Sequence, residues 1–260
     1  MVALSDYVGR EQSYVKHVFL EGYLDRLVHK TASTFPHIVY VDGFAGPWQS
    51  ASERFEDTSF GIALNALRRA KSSWKERHRD VKMSAHLVER DVDAYKLLAK
   101  VAARYPDVEV KTYSADFLTV LPDILRDTPN DAFAFFLIDP KGWRIPLRTL
   151  SPMLARSNSE VIFNFMFDFI NRAASIDDST VISGLNELIP YGNWQSKLKE
   201  AERRANNSSS ERKDILVGAF TESLARLGNY PYVAETTILR PLKDRPLYCL
   251  CYATRNHHGI

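Results

Sequence analysis

The run Ala132-Phe-Ala-Phe-Phe-Leu-Ile138, stopped by Asp139-Pro140, constrains this chain more than any other feature. It offers no polar position to either side, so neither face can meet water. It is also far shorter than the roughly 18 apolar residues that a membrane helix needs. A run of this kind fits a strand covered on both faces, as in the interior of a parallel sheet. Four shorter runs repeat the design: His37-Ile-Val-Tyr-Val41, Ala85-His-Leu-Val88, Val108 to Tyr113 and Val161-Ile-Phe-Asn-Phe165. Between them lie stretches of helical periodicity, over about 58–80, 91–104, 117–127 and 146–156, with a further helix at 10–30 before the first strand. Strands that alternate with helices through short loops imply a parallel sheet with helices on both sides.

The rhythm breaks at 173–228, which reads as helices with a polar joint at Asn206-Asn-Ser-Ser-Ser210. This stretch is too short for a comfortable core of its own and is expected as an insertion. Tyr232–Leu239, a turn from Arg240 to Pro246, and Leu247–Thr254 then close the sheet as a hairpin. The expected architecture is therefore α/β: a mostly parallel seven-stranded sheet with a C-terminal antiparallel hairpin, a single domain over 1–260 and a helical insertion over about 173–228.

Of 260 residues, 45% are hydrophobic and 25% charged, enough for one substantial core. A formal net charge of +2 does not single out a polyanionic partner, so any basic surface must be local. One local candidate is Arg68–Lys82, which contains Trp74 and suits either phosphate contacts or a solvated helix face. Cys249 and Cys251, two apart, would share one face of a strand and are expected as buried free thiols. No Cys/His spacing suits zinc, so no metal site is expected; His257-His258 reads as a solvated tail. The opening residues resemble neither a signal nor a transit peptide, which makes a cytoplasmic location and no membrane the expectation.

In open α/β sheets, ligands bind outside the carboxyl ends of the strands. Here those ends carry Asp42-Gly43, Glu89, Asp116 and Asp139-Pro140. The loop Asp42-Gly43-Phe44-Ala45-Gly46 matches neither the phosphate loop nor the dinucleotide fingerprint. An acid opening the loop would repel a pyrophosphate but suits a cationic ligand, such as the ammonium and sulfonium of S-adenosylmethionine. A plain glycine turn explains the loop about as well. Glu89 is placed to accept from a ribose diol, with Asp91 as competitor, and Asp116 to meet an adenine amine or to cap a helix. In Asp139-Pro140-Lys141-Gly142-Trp143, a carboxylate and a backbone carbonyl offer acceptors to an amino group. Trp143 suits stacking on an extruded base or packing in the core. Asn164 within an apolar strand, and Asn171-Arg172 after it, need partners if buried.

Several of these stretches together resemble the three-Cys-motif partner protein family. They are Tyr40-Val-Asp-Gly-Phe-Ala-Gly-Pro47, Phe136-Leu-Ile-Asp-Pro-Lys-Gly-Trp143, Val161-Ile-Phe-Asn-Phe-Met-Phe-Asp-Phe-Ile-Asn-Arg172, Tyr14 to Leu24 and Leu247-Tyr-Cys-Leu-Cys-Tyr-Ala-Thr254. The resemblance implies a Rossmann-like class I methyltransferase fold using S-adenosylmethionine. It carries Asp42 and Gly43 to the cofactor loop and Asp139-Pro140 to the catalytic motif. The family name implies a partner with a three-cysteine motif, a radical S-adenosylmethionine-like protein. Asp139-Pro-Lys-Gly142 is also similar to the catalytic motif of tRNA guanine-N2 dimethyltransferases, and more loosely to the Asp-Pro-Pro-aromatic motif of amino-methylating DNA enzymes. Trp48 stands where a glycine is expected, and Lys141 where a second Pro or a Phe is. The combined expectation is methylation of an exocyclic amine on a nucleic-acid base. Two alternatives stay open: a methyltransferase fold that only binds its partner, and methylation of a protein or small molecule.

Overall fold

The computed structural model describes residues 4–46, 50, 55–204, 208–240 and 243–257. Seven strands form a sheet in the order β3-β2-β1-β4-β5-β7-β6, with β7 antiparallel to both of its neighbours. This is the mostly parallel seven-stranded sheet with a C-terminal hairpin that the sequence predicts. The chain divides into two compact units, Met1–Ile138 and Asp139–Ile260.

The first unit holds α1 (Glu11–Thr31), β1 (His37–Asp42), α2 (Ser59–Glu76), β2 (Lys82–Glu89), α3 (Val92–Ala102), β3 (Glu109–Ser114), α4 (Phe117–Asp127) and β4 (Phe133–Ile138). Every residue of β1 and β4 is buried, which is why neither shows alternation in the sequence. β1 pairs in parallel with β2 on one side and β4 on the other, Asp42 lying opposite both Leu87 and Leu137. The chain steps outward from β1 to β2 and β3, then returns to the far side of β1 as β4. That reversal is the topological switch point beside which open sheets bind ligands. Burying each Val, Ile, Leu or Phe of these strands contributes roughly 1.5–3 kcal/mol. α1 covers its share of this core with Leu20, Leu24 and Val28, spaced four apart.

Asp91 and Asp116 stand at the N-caps of α3 and α4, where their side chains accept backbone N–H groups. β2 begins three residues earlier than its apolar run suggests, at Lys82, because pairing with β1 starts at His37. At the start of α2 the Thr58 hydroxyl accepts from the Gly61 N–H at 3.1 Å. A Cβ on Gly61 would stand 1.9 Å from the carbonyl oxygen of Phe55, so only glycine fits there.

The second unit contains α5 (Ser151–Leu154), β5 (Ser159–Phe165), α6 (Phe167–Ala173), α7 (Ser179–Leu188), α8 (Trp194–Arg203), α9 (Ser209–Gly228), β6 (Tyr232–Leu239) and β7 (Pro246–Thr254). The helix predicted at 146–156 is instead a 3-10 turn over Leu147–Leu150 leading into the four-residue α5. Pro152 lacks the N–H that a continuous helix would donate to the Arg148 carbonyl, and it stands in the first turn of α5 instead. The helical stretch starts earlier than 173, since α6 follows β5 after a single residue. Part of the predicted joint at 206–210 lies outside the described residues, but Ser208 caps α9 by accepting from the Glu211 N–H. Phe220 of α9 packs on Phe163 and Phe165 of β5, with ring centroids 4.8 and 4.7 Å away. Cys249 and Cys251 are free and buried, as expected, and burial pushes the Cys249 thiol up to about 12.

Two outcomes follow from the first unit. Gly61→Ala is expected to destabilise the protein by roughly 2–3 kcal/mol. By contrast Gly22→Ala, on an exposed helix position with open space at its Cβ, should raise stability by up to about 1 kcal/mol. Thermal denaturation of both variants checks the contrast. His86 of β2 bonds the Tyr113 hydroxyl at 2.8 Å, and burial first, then the Lys111 charge, lower its pKa from 6.5 to about 4. Above pH 6.5 the imidazole is neutral whether the chain is folded or not. As the pH falls towards 4, only the unfolded chain takes the proton, and roughly 3 kcal/mol of stability is lost. Urea denaturation between pH 7 and 5 should show that slope, and His86→Gln should flatten it.

Candidate functional site

The strand-end acids of the first unit differ sharply in what they already hold. Asp42 is fully buried at the end of β1. Its Oδ1 accepts from the Phe44 N–H at 3.0 Å, and its Oδ2 from the Ser59 hydroxyl at 2.6 Å and the Tyr40 phenol at 3.1 Å. The next residues are stitched to both neighbouring strands. The Gly43 N–H donates to the Leu137 carbonyl at 3.1 Å and the Ala45 N–H to the Val88 carbonyl at 2.8 Å. A Cβ on Gly43 would meet the Phe117 ring at 3.0 Å, so the aromatic base of the loop needs a glycine above it. Phe44 and Gly46 are half-buried. The carboxylate expected to face a cationic ligand is thus held by three donors of its own unit, and the turn is rigid at the switch point. Pro47 and Trp48 lie outside the described residues.

Glu89 is buried at the end of β2, and its Oε1 accepts the Asp91 N–H at 2.7 Å. Asp91, its competitor, spends Oδ1 on the N–H groups of Asp93 and Ala94, at 3.1 and 2.8 Å. Glu89 keeps Oε2, to which no described residue donates. Asp116 is exposed and caps α4 through the Leu118 N–H at 2.9 Å, which leaves its Oδ2 without a described donor. These acceptors fit the donor groups of a nucleoside: a buried carboxylate oxygen for vicinal hydroxyls and an exposed one for an exocyclic amine.

In the second unit, Asp139 follows β4 directly and is half-buried. Asn164 of β5 donates from Nδ2 to the Asp139 Oδ1 at 2.5 Å. A carboxylate only accepts, so this bond fixes which way the amide faces. The Asn164 Oδ1 is then turned into a buried position where no partner meets it. A buried carbonyl without a donor is expensive, of the order of 1–3 kcal/mol, and marks a position where an incoming N–H is welcome. Burial, together with the Asp139 charge, also pushes the Tyr248 phenol well up, so it stays protonated as a donor.

The loop after Asp139 is tightly made. The Pro140 carbonyl receives the Gly142 N–H at 3.1 Å. Gly142 has φ +113°, a conformation that favours glycine. The half-buried Trp143 rests on α7, where a Cβ on Gly184 would stand 2.5 Å from the indole Cζ3. The Arg144 guanidinium sits 5.6 Å from the Trp143 ring centroid. One contact of the indole is therefore with its own unit, while part of it remains open.

Asn164 was visible in the sequence as a polar residue inside an apolar strand, but its pairing with Asp139 was not. Tyr248 gave no signal beyond its strand. The basic run at 68–82 turns out to be an ion-paired surface: Arg68 meets Asp107 at 2.9 Å, Arg69 meets Asp25 at 2.6 Å and Lys82 meets Glu109 at 2.7 Å. Among the described residues, no three His, Cys, Asp or Glu side chains gather to hold a metal ion, and no helix is long and apolar enough to cross a membrane.

No family model matches the chain, and no curated protein matches it. Several solved structures are similar to it. A protein from Legionella pneumophila is 14% identical with a TM-score of 0.49, the match covering 94% of this chain and 85% of the other. An O-methyltransferase from Bacillus cereus, in complex with SAH, is 14% identical with a TM-score of 0.43, covering 90% and 79%. TYW2 from M. jannaschii, in complex with AdoMet, is 11% identical with a TM-score of 0.38, covering 88% and 74%.

The Asn164–Asp139 bond makes a specific prediction. Asn164→Asp would set a second carboxylate against Asp139 and raise the pKa of the pair. The variant should lose roughly 2–4 kcal/mol at pH 8 and recover part of it near pH 5, where the pair holds a proton. Melting temperatures at the two pH values check this, since the wild type should not gain stability on acidification.

Proposed function

We propose that this chain is a single-domain, S-adenosylmethionine-dependent methyltransferase that modifies an exocyclic amine of a nucleic-acid base. The observation that carries the reading is the Asn164 carbonyl, buried without a donor and fixed beside Asp139 by their hydrogen bond. An amine brings two N–H donors. One suits the Asn164 Oδ1 and the other the Asp139 carboxylate, and together they would align the nitrogen lone pair. A hydroxyl or thiol acceptor, with one donor, would leave one of these groups unsatisfied.

The cofactor, when bound, supplies an electrophilic methyl group. In this reading Glu89 binds the ribose hydroxyls, Asp116 the adenine amine, and Asp42 to Gly46 form the rigid turn against which the remainder lies. Asp139 orients the amine and is the nearest carboxylate to accept its proton once the new N–C bond has formed. Pro140 fixes the backbone beside it, and the open part of Trp143 offers a flat surface to the base. The family resemblance adds a three-Cys-motif, radical S-adenosylmethionine-like protein as partner; a cytoplasmic location is part of the same proposal.

One observation favours a second reading. The three donors on Asp42 leave that acid committed to the fold, as suits a methyltransferase-like module that only binds its partner.

Labelled methyl transfer to total nucleic acid tests the proposal. Wild-type protein should transfer label, and Asp139→Ala should reduce the rate by about 100-fold or more while changing cofactor affinity little. Full activity in this variant would remove Asp139 from the chemistry. Absence of transfer by well-folded wild type would favour the second reading.

A further inference from the structure

The apolar run Phe165 to Ile170 is interrupted by Asp168, and the structure shows why a carboxylate stands there. Asp168 lies in the first turn of α6 with its side chain only 5% exposed, and three arginines converge on it. The Arg240 Nη2 lies 2.7 Å from Oδ2, the Arg172 Nη2 3.2 Å from Oδ2 and the Arg245 Nη2 3.1 Å from Oδ1. Arg172 belongs to the last turn of α6, while Arg240 and Arg245 flank the β6–β7 turn. Their backbones are also joined, the Arg240 N–H donating to the Arg245 carbonyl at 2.9 Å.

One carboxylate cannot neutralise three guanidinium groups, so two positive charges remain in excess. Each guanidinium carries five N–H donors in a planar fork; the Arg172 Nε–H donates to the Asp168 carbonyl, the Arg240 Nη2 to its carboxylate and the Arg240 Nε is buried, but the terminal N–H groups that remain outnumber what one carboxylate can accept. The side chains stay accessible, at 59% for Arg172, 39% for Arg240 and 51% for Arg245. Ordering them on a buried anchor removes much of the rotamer entropy that a flexible arginine would lose on binding an anion. Bidentate guanidinium contacts favour phosphate and carboxylate oxygens.

An aromatic side chain completes the surface. Phe169, next to the anchor, is 51% exposed, and the Arg172 guanidinium lies 5.0 Å from its ring centroid. A half-exposed phenylalanine among arginines is costly in water but suits an unpaired base, which offers a π-face to stack on and a phosphate one step away. Asp168 stands three residues after the end of β5, the strand whose Asn164 bonds Asp139.

We propose that Phe169, Arg172, Arg240 and Arg245, fixed by Asp168, grip single-stranded nucleic acid. The arginines take backbone phosphates, and Phe169 stacks on an unpaired base. This rests on the methyltransferase reading only for its substrate; the binding itself can be tested alone.

The test is fluorescence anisotropy with a labelled single-stranded RNA over a salt series, using the full chain. The variant Arg172→Gln/Arg245→Gln keeps Arg240, the shortest partner of Asp168, so the buried carboxylate stays paired. It should bind about tenfold more weakly at about 0.1 M salt, and its salt slope should shrink by roughly 1.4, that is about 0.7 for each phosphate no longer neutralised. Phe169→Ala should weaken binding about tenfold with the slope unchanged. The pair Arg172→Lys/Arg245→Lys should restore the slope but only part of the affinity. Calorimetric affinity for S-adenosylmethionine should be the same in all of them. A slope unaltered in the Gln variant, or no binding of RNA by wild type, overturns the proposal. If wild type methylates nucleic acid and the variants do so equally well, the grip is wrong and the function stands. If wild type binds RNA through the arginines but transfers no methyl group to it, the grip stands and the function falls.

Discussion

The structure depends on the complete burial of β1 and β4. Strands with no exposed face leave polar chemistry only at their ends, and the chain's reversal at β1 makes the carboxyl ends the place where it gathers. The consequences are visible residue by residue. Asp42 ends β1 as a carboxylate satisfied from three directions, Gly43 sits over the Phe117 ring, and the Gly43 and Ala45 N–H groups reach the carbonyls of β4 and β2. A turn so fully bonded is stiff, and stiffness is what a site needs if it is to hold reacting groups in register. Its acid serves that stiffness first, and this changes the part it plays: it shapes the turn, while Glu89 and Asp116 keep oxygens to spare.

A similar division of labour runs through the second unit. Asn164 spends its amide nitrogen on Asp139 and holds its carbonyl in reserve; Asp168 is ion-paired with three arginines and leaves them with donors in reserve. In both places a buried polar side chain fixes a neighbour's geometry while one of its own oxygens, Asn164 Oδ1 or Asp168 Oδ1, stays without a hydrogen bond. Trp143, pressed on Gly184, and Gly142, with its positive φ, set the shape of the loop between them and are structural before they are anything else.

Much of the fold was legible in the sequence because burial leaves a strong mark. The run at 132–138 has no polar position, and the strand-helix alternation from 37 to 165 needs no long-range information to be read. The failures are local and have causes. The helix expected at 146–156 was read from apolar periodicity, but Pro152 withdrew a donor from its interior. The basic run at 68–82 suited either phosphate contacts or a solvated helix face, and the sequence could not show that Asp25, Asp107 and Glu109, all distant along the chain, pair with part of it. For the site, the strand-end acids were identifiable by position. What each carboxylate was bonded to was not, since Ser59 lies 17 residues from Asp42 and Asn164 lies 25 from Asp139. Asp168 within its apolar run, and the arginines at both ends of the β6–β7 turn, were signals in plain view; 72 residues separate Asp168 from Arg240, and only folding joins them.

The account turns on whether the strand ends of the first unit hold a nucleoside cofactor. Isothermal calorimetry with S-adenosylmethionine and its demethylated product measures this directly, in wild type and in Glu89→Ala. One binding event per chain is expected for either ligand, weakened by about tenfold or more in the variant, where a buried hydrogen-bond acceptor for the ribose is gone. No heat of binding from folded wild type, or equal affinity in Glu89→Ala, would contradict it.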